Sequence, residues 1–407
     1  MGGCLVRKWL GILLLGCLVI QVVVVSGCSV KMDAAREEME APLQSLNSST
    51  ERKQPAPNVE AEPKQATPPT EPPVERQMPA KKVVKGIYVS AWSAVGNKFE
   101  QLINLVDQTD LNAMVIDVKN DSGQVTYASA VPLVNEIGAN SNVIIRDMKG
   151  TLRRLKDKQI YTIARVVVFK DPYLSNKKSN YAMKTHQGNV WKDNKGIAWV
   201  DPYKEEVWDY NLQIAKEAAQ LGFDEVQFDY VRFPENSKRV DAEVKFDNPS
   251  KWTKAQVIET FLKKAKDRIG DQAYLSADVF GLTTSSDNDM GIGQDWSMIS
   301  KQVHYISPML YPSHYSNGMY GIKYPDLQPY AVIHKAIVDA KGKNDKIMQA
   351  SVSAAEIRPW YQDFTATWVK PHKTYGNVDV KEQIKAAKEL GVEQFLLWNS
   401  NSLYTYR

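Results

Sequence analysis

The sequence predicts an α/β fold, a closed (β/α)₈ barrel of the TIM type, preceded by a signal peptide and a disordered linker. From Lys85 onward, short β-rich runs alternate with amphipathic helical stretches, which is the pattern of parallel strands joined by crossover helices. Eight such runs fit the chain, and the length left after the N-terminal segments suits one barrel, since such folds need about 250 residues. Polar residues stand late in the apolar runs, at the end where a barrel builds its site.

The first element in chain order is residues 1–27. Arg7 and Lys8 precede an apolar run over 9–25 that ends in Val25-Ser26-Gly27-Cys28, giving a charged segment, an apolar segment and a small-residue cleavage site. The run is shorter than the roughly 20 apolar residues of a spanning helix. The stretch resembles a bacterial lipobox, which implies lipidation of Cys28, export, and a body tethered by lipid to the outer face of the cell membrane. An uncleaved helical anchor with an incidental cysteine is the alternative. The cysteines are Cys4, Cys17 and Cys28, so the mature domain has no disulfide, no cysteine metal site and no cysteine nucleophile.

Residues 28–80 turn to Glu, Gln, Pro, Thr, Ser and Ala, as in Thr67-Pro68-Pro69-Thr70-Glu71-Pro72-Pro73. Such a segment cannot bury enough apolar surface to offset its ordering entropy and is expected to be a semi-extended tether. Residues 81–407 then form the barrel. Candidate strands cover 86–92, 113–119, 161–169, 225–233, 274–280, 305–311, 348–353 and 394–399. Helical patterns lie between them at 99–108, 148–158, 203–221, 253–269, 329–340 and 380–390. The fifth crossover, near 295–301, is short.

Alternate residues of a strand share a face, so Asp117 and Lys119 are expected to point the same way, as are Gln227 and Asp229, and Ser276 and Asp278. Arg165 stands late on strand three, Tyr311 on six, Gln349 on seven and Trp398 on eight. A charge inside a barrel is costly unless paired, so each alone reads equally as a buried ion pair; their clustering at one end favours a site. Glycosidic cleavage needs one carboxyl to protonate the leaving oxygen and another as nucleophile or base. Asp229 and Asp278, on adjacent strands at matching depths, are the preferred pair, with Asp229 as nucleophile or base and Asp278 as proton donor. Asp117 is the reserve. Lys119, Arg165 and Arg232 would hold carboxylates ionised or bind an anionic group of the substrate, with a structural salt bridge the alternative for Arg232. The substrate-binding set is therefore Asp117, Lys119, Arg165, Arg232, Tyr311, Gln349 and Trp398.

The stretch Gly222-Phe223-Asp224-Glu225-Val226-Gln227-Phe228-Asp229-Tyr230-Val231-Arg232-Phe233-Pro234, with Ser276-Ala277-Asp278-Val279-Phe280-Gly281 and Lys85-Gly86-Ile87-Tyr88-Val89-Ser90, resembles a bacterial family of glycosyl hydrolase domains. The resemblance runs from Lys85 to the end and implies a barrel glycosidase or a descendant of one. The same stretch is distantly similar to the strand-four motif of family 18 chitinases. Asp224 and Asp229 match two of its spaced acids, but Gln227 replaces another and Val231 stands where the catalytic Glu would be. Met309-Leu310-Tyr311 and Trp398 are similar to that family's later strands. Substrate-assisted hydrolysis of N-acetylated sugars is therefore not implied. Either the acid has moved, to Asp278, or the barrel only binds carbohydrate.

Aromatic residues favour a polysaccharide or oligosaccharide partner, because pyranose C–H faces pack on indole and phenol rings. Trp191, Trp199 and Tyr203 flank the connection after strand three, and Tyr311, Tyr315 and Tyr320 follow strand six, although each alone reads as a loop anchor. The five histidines show no metal-binding spacing, and Asp287-Asn288-Asp289 lacks the glycine and terminal Glu of a calcium loop, so no metal and no cofactor are expected. A net charge of +4 over 407 residues, without a basic stripe interleaved with aromatics, gives no case for nucleic acid. A deacetylase would need a His/Asp metal triad that the spacing does not supply. Oligomeric state is not legible.

Overall fold

The computed structural model describes residues 78–407; Cys28, the predicted signal peptide and nearly all of the tether lie outside the described residues. In chain order the elements are β1 (Lys85–Val89), α1 (Gly96–Asp107), β2 (Ala113–Lys119), α2 (Pro132–Ile137), α3 (Met148–Asp157), β3 (Tyr161–Val167), α4 (Pro172–Lys177), α5 (Glu205–Leu221), β4 (Glu225–Asp229) and α6 (Ser237–Glu243). There follow α7 (Lys254–Ile269), β5 (Tyr274–Phe280), α8 (Trp296–Ser300), β6 (Tyr305–Leu310), α9 (Pro329–Gln349), β7 (Glu356–Ile357), β8 (Trp360–Gln362), α10 (Asn377–Lys388) and β9 (Phe395–Trp398). Every strand pairing is parallel, and β1 pairs with both β2 and β9 while β5 pairs with β6, so the sheet closes on itself.

Alternation along each strand sorts the side chains. Tyr88, Val115, Ile163 and Leu396 meet inside the barrel, while Ile87, Met114, Ile116 and Val166 pack outward under the helices. Strands buried on both faces explain why β2, β3 and β4 carry no exposed residue. Helix α7 shows how the outer layer is fixed. Thr253 and Gln256 form a capping box that satisfies first-turn N–H groups, and Val257, Ile258, Phe261, Leu262 and Ala265 form the buried stripe. Phe261 lies 5.5 Å from the Phe169 ring and 5.3 Å from the Phe228 ring, so Phe261→Ala would cost about 3–5 kcal/mol.

The seventh stave corrects the sequence reading. Residues 348–353 do not form a strand: α9 runs unbroken through Gly342 to Gln349. The stave is built later and in two pieces. β7 pairs with β6 at Tyr305–Glu356 and Ile306–Ile357, and β8 pairs with β6 at Met309–Trp360 and with β9 at Tyr361–Leu397. Pro359 stands between the pieces, has no N–H to give to a ladder, and still accepts from Leu396 N at 2.9 Å. The short fifth crossover is the five-residue helix α8.

Candidate active site

The barrel interior carries two charged layers. In the lower one, Glu225 of β4 and Arg358 form an ion pair in which both side chains are wholly buried. Tyr161 OH donates to Glu225 at 3.1 Å, Ser276 Oγ also donates to it, and the Arg358 guanidinium lies 4.1 Å from the Tyr305 ring centroid.

The upper layer, at the C-terminal ends of the strands, is organised by Arg165 of β3. Its Nε and Nη2 donate to Asp229 Oδ2 at 3.0 and 2.6 Å, and Nη1 donates to Asp117 Oδ1 at 2.8 Å and to Asp121 Oδ2 at 3.2 Å. Tyr88 OH takes the other oxygen of Asp117 at 2.7 Å. Tyr88 and Trp398 stack with centroids 4.3 Å apart, and both rings lie within 5.6 Å of the guanidinium. Burial opposes the charge of Arg165, but Asp121, Asp229 and Asp117 more than offset it. Asp117 is pushed up by burial, which the Arg165 charge counters only in part.

Asp229 and Asp278 project into this layer from adjacent strands but meet different surroundings. Asp229, 7% exposed, accepts from Tyr230 N at 2.6 Å besides its pairing with Arg165. Tyr230 holds φ 48°, in the left-handed region that costs a side chain of this size on the order of 1–2 kcal/mol, and that turn aims its N–H back at the carboxylate. Asp278 is 2% exposed and accepts from Trp360 Nε1 at 2.8 Å. Burial first, and the negative charge of Asp229 second, push the Asp278 carboxyl well above the usual range; the Trp360 hydrogen bond and the charges of Arg165 and Arg358 act against this.

Of the residues selected from sequence, Asp117, Arg165, Asp229, Asp278 and Trp398 come together here. Tyr311 is buried within the interior cluster, its ring 5.7 Å from Phe364. Arg232 sits beyond β4 with its guanidinium 4.5 to 5.2 Å from the rings of Phe280, Tyr230 and Trp199, and donates to Phe233 O at 3.0 Å and Glu235 at 3.3 Å. Lys119 and Gln349 lie elsewhere. The β2–β3 register slips between Asp117 and Lys119, which pair with Arg165 and Val166. That bulge turns Lys119 to the outward face that Val166 occupies, so Asp117 and Lys119 do not point the same way. Lys119 there pairs with Asp171 at 2.6 Å, both wholly buried, and donates to Asn211 at 2.9 Å. Gln349 is exposed at the last turn of α9.

Sequence reasoning missed Tyr88, Asp121, Trp360 and Tyr230. Tyr88 was visible in the period of β1, whereas Trp360 follows a proline that masks its strand. The partial likeness to chitinases also has a structural account. Asp224 caps the lower end of the sheet by accepting from Thr162 N at 2.9 Å and Thr162 Oγ1 at 3.0 Å, and Val231 is wholly buried in the outer core. Among the described residues no group of three or more His, Cys, Asp or Glu side chains is placed to hold a metal ion.

Solved structures share the barrel fold. The glycoside hydrolase domain of PgaB from Bordetella bronchiseptica is 10% identical, with a TM-score of 0.51 over 79% of this chain and 95% of that one, a likeness of fold alone. A hypothetical protein from Ruminiclostridium thermocellum is 36% identical over 51% of this chain and 98% of its own, with a TM-score of 0.44. The α-galactosidase TtGalA from Thermus thermophilus is 10% identical, with a TM-score of 0.46 over 80% of this chain and 60% of that one. No curated protein matches the sequence. The family model described as "Putative glycosyl hydrolase domain" matches residues 86–404, which span the whole barrel, and the chain belongs to that family.

Proposed function

We propose that the protein hydrolyses glycosidic bonds in a polysaccharide or oligosaccharide, with Asp278 as proton donor and Asp229 as nucleophile or as the base that activates water. The observation that carries this is the unlike treatment of two neighbouring carboxyls: Asp229 is paired with Arg165 at 2.6 Å, whereas Asp278 is buried and accepts from the neutral indole N–H of Trp360 at 2.8 Å. A leaving sugar oxygen needs a proton that a carboxyl of raised pKa still holds, and the positive charge building at the anomeric carbon needs a carboxylate. Family membership over residues 86–404 supports the same reaction class. Trp398, which is only partly buried, offers a ring to sugar C–H groups, whereas Tyr311 is buried behind the site. The test is a screen against cell-wall and plant glycans followed by Asp229→Asn and Asp278→Asn, each expected to cut turnover at least ~10²-fold while binding survives. Near-normal turnover in either variant contradicts the assignment and makes Asp117 the next residue to replace.

Binding without hydrolysis is the second reading, favoured by apolar Val231 where similar chitinases carry Glu. Its signature is glycan retention by the unsubstituted protein with no product formed. We also infer export and lipid attachment at Cys28, on the strength of Val25-Ser26-Gly27-Cys28 after an apolar run. Cys28→Ser should abolish lipid labelling and leave an unprocessed precursor; unchanged processing and membrane retention would mean a helical anchor.

A further inference from the structure

The connection between β3 and α5 rises from the catalytic face as a folded flap. Antiparallel bridges join Ala182 to Val200, Lys184 to Val190 and Lys192 to Ala198, and a further bridge joins Thr185 to Val244 beyond α6. Trp191 and Trp199 are buried as its anchors. Its base lies against the segment that follows Asp229: Trp199 is 5.8 Å from Tyr230, and Val200 N donates to Phe169 O at 3.1 Å.

Residues 177–204 hold six lysines and two aspartates, an excess of four that equals the net charge of the whole chain. The acids of the flap and of the segment packed on it are already engaged. Asp193 accepts from Trp199 Nε1 at 2.9 Å, Asp201 from Tyr203 N and Asp247 N, and Glu243 from Trp191 Nε1 and Arg239. Asp241 pairs with Lys254 and Asp247 with Lys204, each at 2.6 Å. Lys184, Lys192, Lys238 and Lys245 have no ion pair among the described residues. They are also brought toward one another. Lys245 N donates to Lys184 O at 2.9 Å, and Arg239, next to Lys238, donates to Lys192 O at 3.3 Å. Because these lysines come from two separated segments, they form no stripe in the sequence. Like charges gathered at the C-terminal face of the barrel cost stability unless anions come between them, and such a patch raises the local concentration of a polyanion.

We propose that this flap binds a glycan bearing repeated anionic groups, carboxylate or phosphate, and delivers it to the upper charged layer; the delivery step rests on the hydrolase reading, the binding does not. The test measures binding of the full protein to polygalacturonate, to poly(ribitol phosphate) and, as a neutral control, to dextran, at 50 and 300 mM NaCl. The expected result is binding to at least one polyanion that weakens at least ~tenfold at the higher salt, its preference telling carboxylate from phosphate. Replacing Lys184, Lys192, Lys238 and Lys245 together by Gln should lower affinity at low salt about tenfold. Replacing Lys149, Lys156, Lys335 and Lys388, which stand exposed on the outer helices, makes the same change in net charge and should leave affinity unchanged. No polyanion binding by the unsubstituted protein, equal losses in the two variants, equal affinity for dextran, or tighter binding to duplex DNA would each overturn the proposal. Turnover of the bound glycan by the unsubstituted protein and by Asp278→Asn is measured alongside: no turnover by the unsubstituted protein removes the hydrolase reading and leaves the binding result to stand by itself, whereas full turnover in the variant removes only Asp278 as the proton donor.

Discussion

The two charged layers inside the barrel are made from the same kinds of side chain and do different things. In the lower layer one acid meets one base: Glu225 and Arg358 are both wholly buried, Glu225 accepts from Arg358 Nη2, Ser276 and Tyr161, and the guanidinium lies over the Tyr305 ring while its Nε and Nη1 have no hydrogen-bond partner among the described residues. In the upper layer Asp117, Asp121, Asp229 and Asp278 share Arg165 as their central cation, and the Asp121 side chain is 43% exposed. A matched, sealed pair serves packing and strand order. Burial first, and the neighbouring carboxylate of Asp229 second, hold the Asp278 carboxyl above the usual range, and this is the condition acid–base chemistry requires.

The comparison breaks first at its structural half. Arg358→Met leaves Glu225 buried without its cation, and urea unfolding should show a loss of about 3–5 kcal/mol; a loss below about 1 kcal/mol would mean the lower layer is not a matched pair. On the functional half, Asp229→Asn and Asp278→Asn should lower turnover at least ~10²-fold, the loss being catalytic and not a loss of fold, which circular dichroism checks. A smaller effect sharpens the picture. Trp360→Phe removes the indole donor to Asp278, should cost about 1 kcal/mol of stability, and should move the basic limb of the pH–rate profile to higher pH, because that hydrogen bond favours the ionised carboxyl. An unchanged profile would separate Trp360 from the chemistry.

Much of this arrangement was legible in the residues. Short β-rich runs alternating with helical stretches marked seven of the staves, and polar residues late in those runs, Asp117, Arg165, Asp229 and Asp278, are brought together at one end of the barrel. The errors have local physical causes. Gly342 and the polar run around it broke the helical pattern of α9, so the helix was ended early and its last residues, Gln349 among them, were read as a strand. Pro359 divided the true stave and with it concealed Trp360 and Arg358. A bulge after Asp117 turned Lys119 to the outer face, and strict alternation cannot foresee a bulge. Asp121 and Tyr230 act from turns beyond strand ends, where side-chain direction is set by backbone geometry that no periodicity reports.

The raised pKa of Asp278 also fixes how stability depends on pH. A carboxyl raised in the folded state stabilises the fold below its unfolded value of about 3.9, and that contribution is lost as pH rises through the folded value. Asp278→Asn should therefore be more stable than the unsubstituted protein at pH 7, with the gain shrinking toward pH 4. The most direct measurement is the titration of the Asp278 carboxyl itself, followed by carbon-13 NMR of aspartate-labelled protein and assigned with Asp278→Asn. The account predicts a carboxyl that keeps its proton well above the range of ordinary aspartates. An Asp278 that ionises with the ordinary aspartates would contradict it.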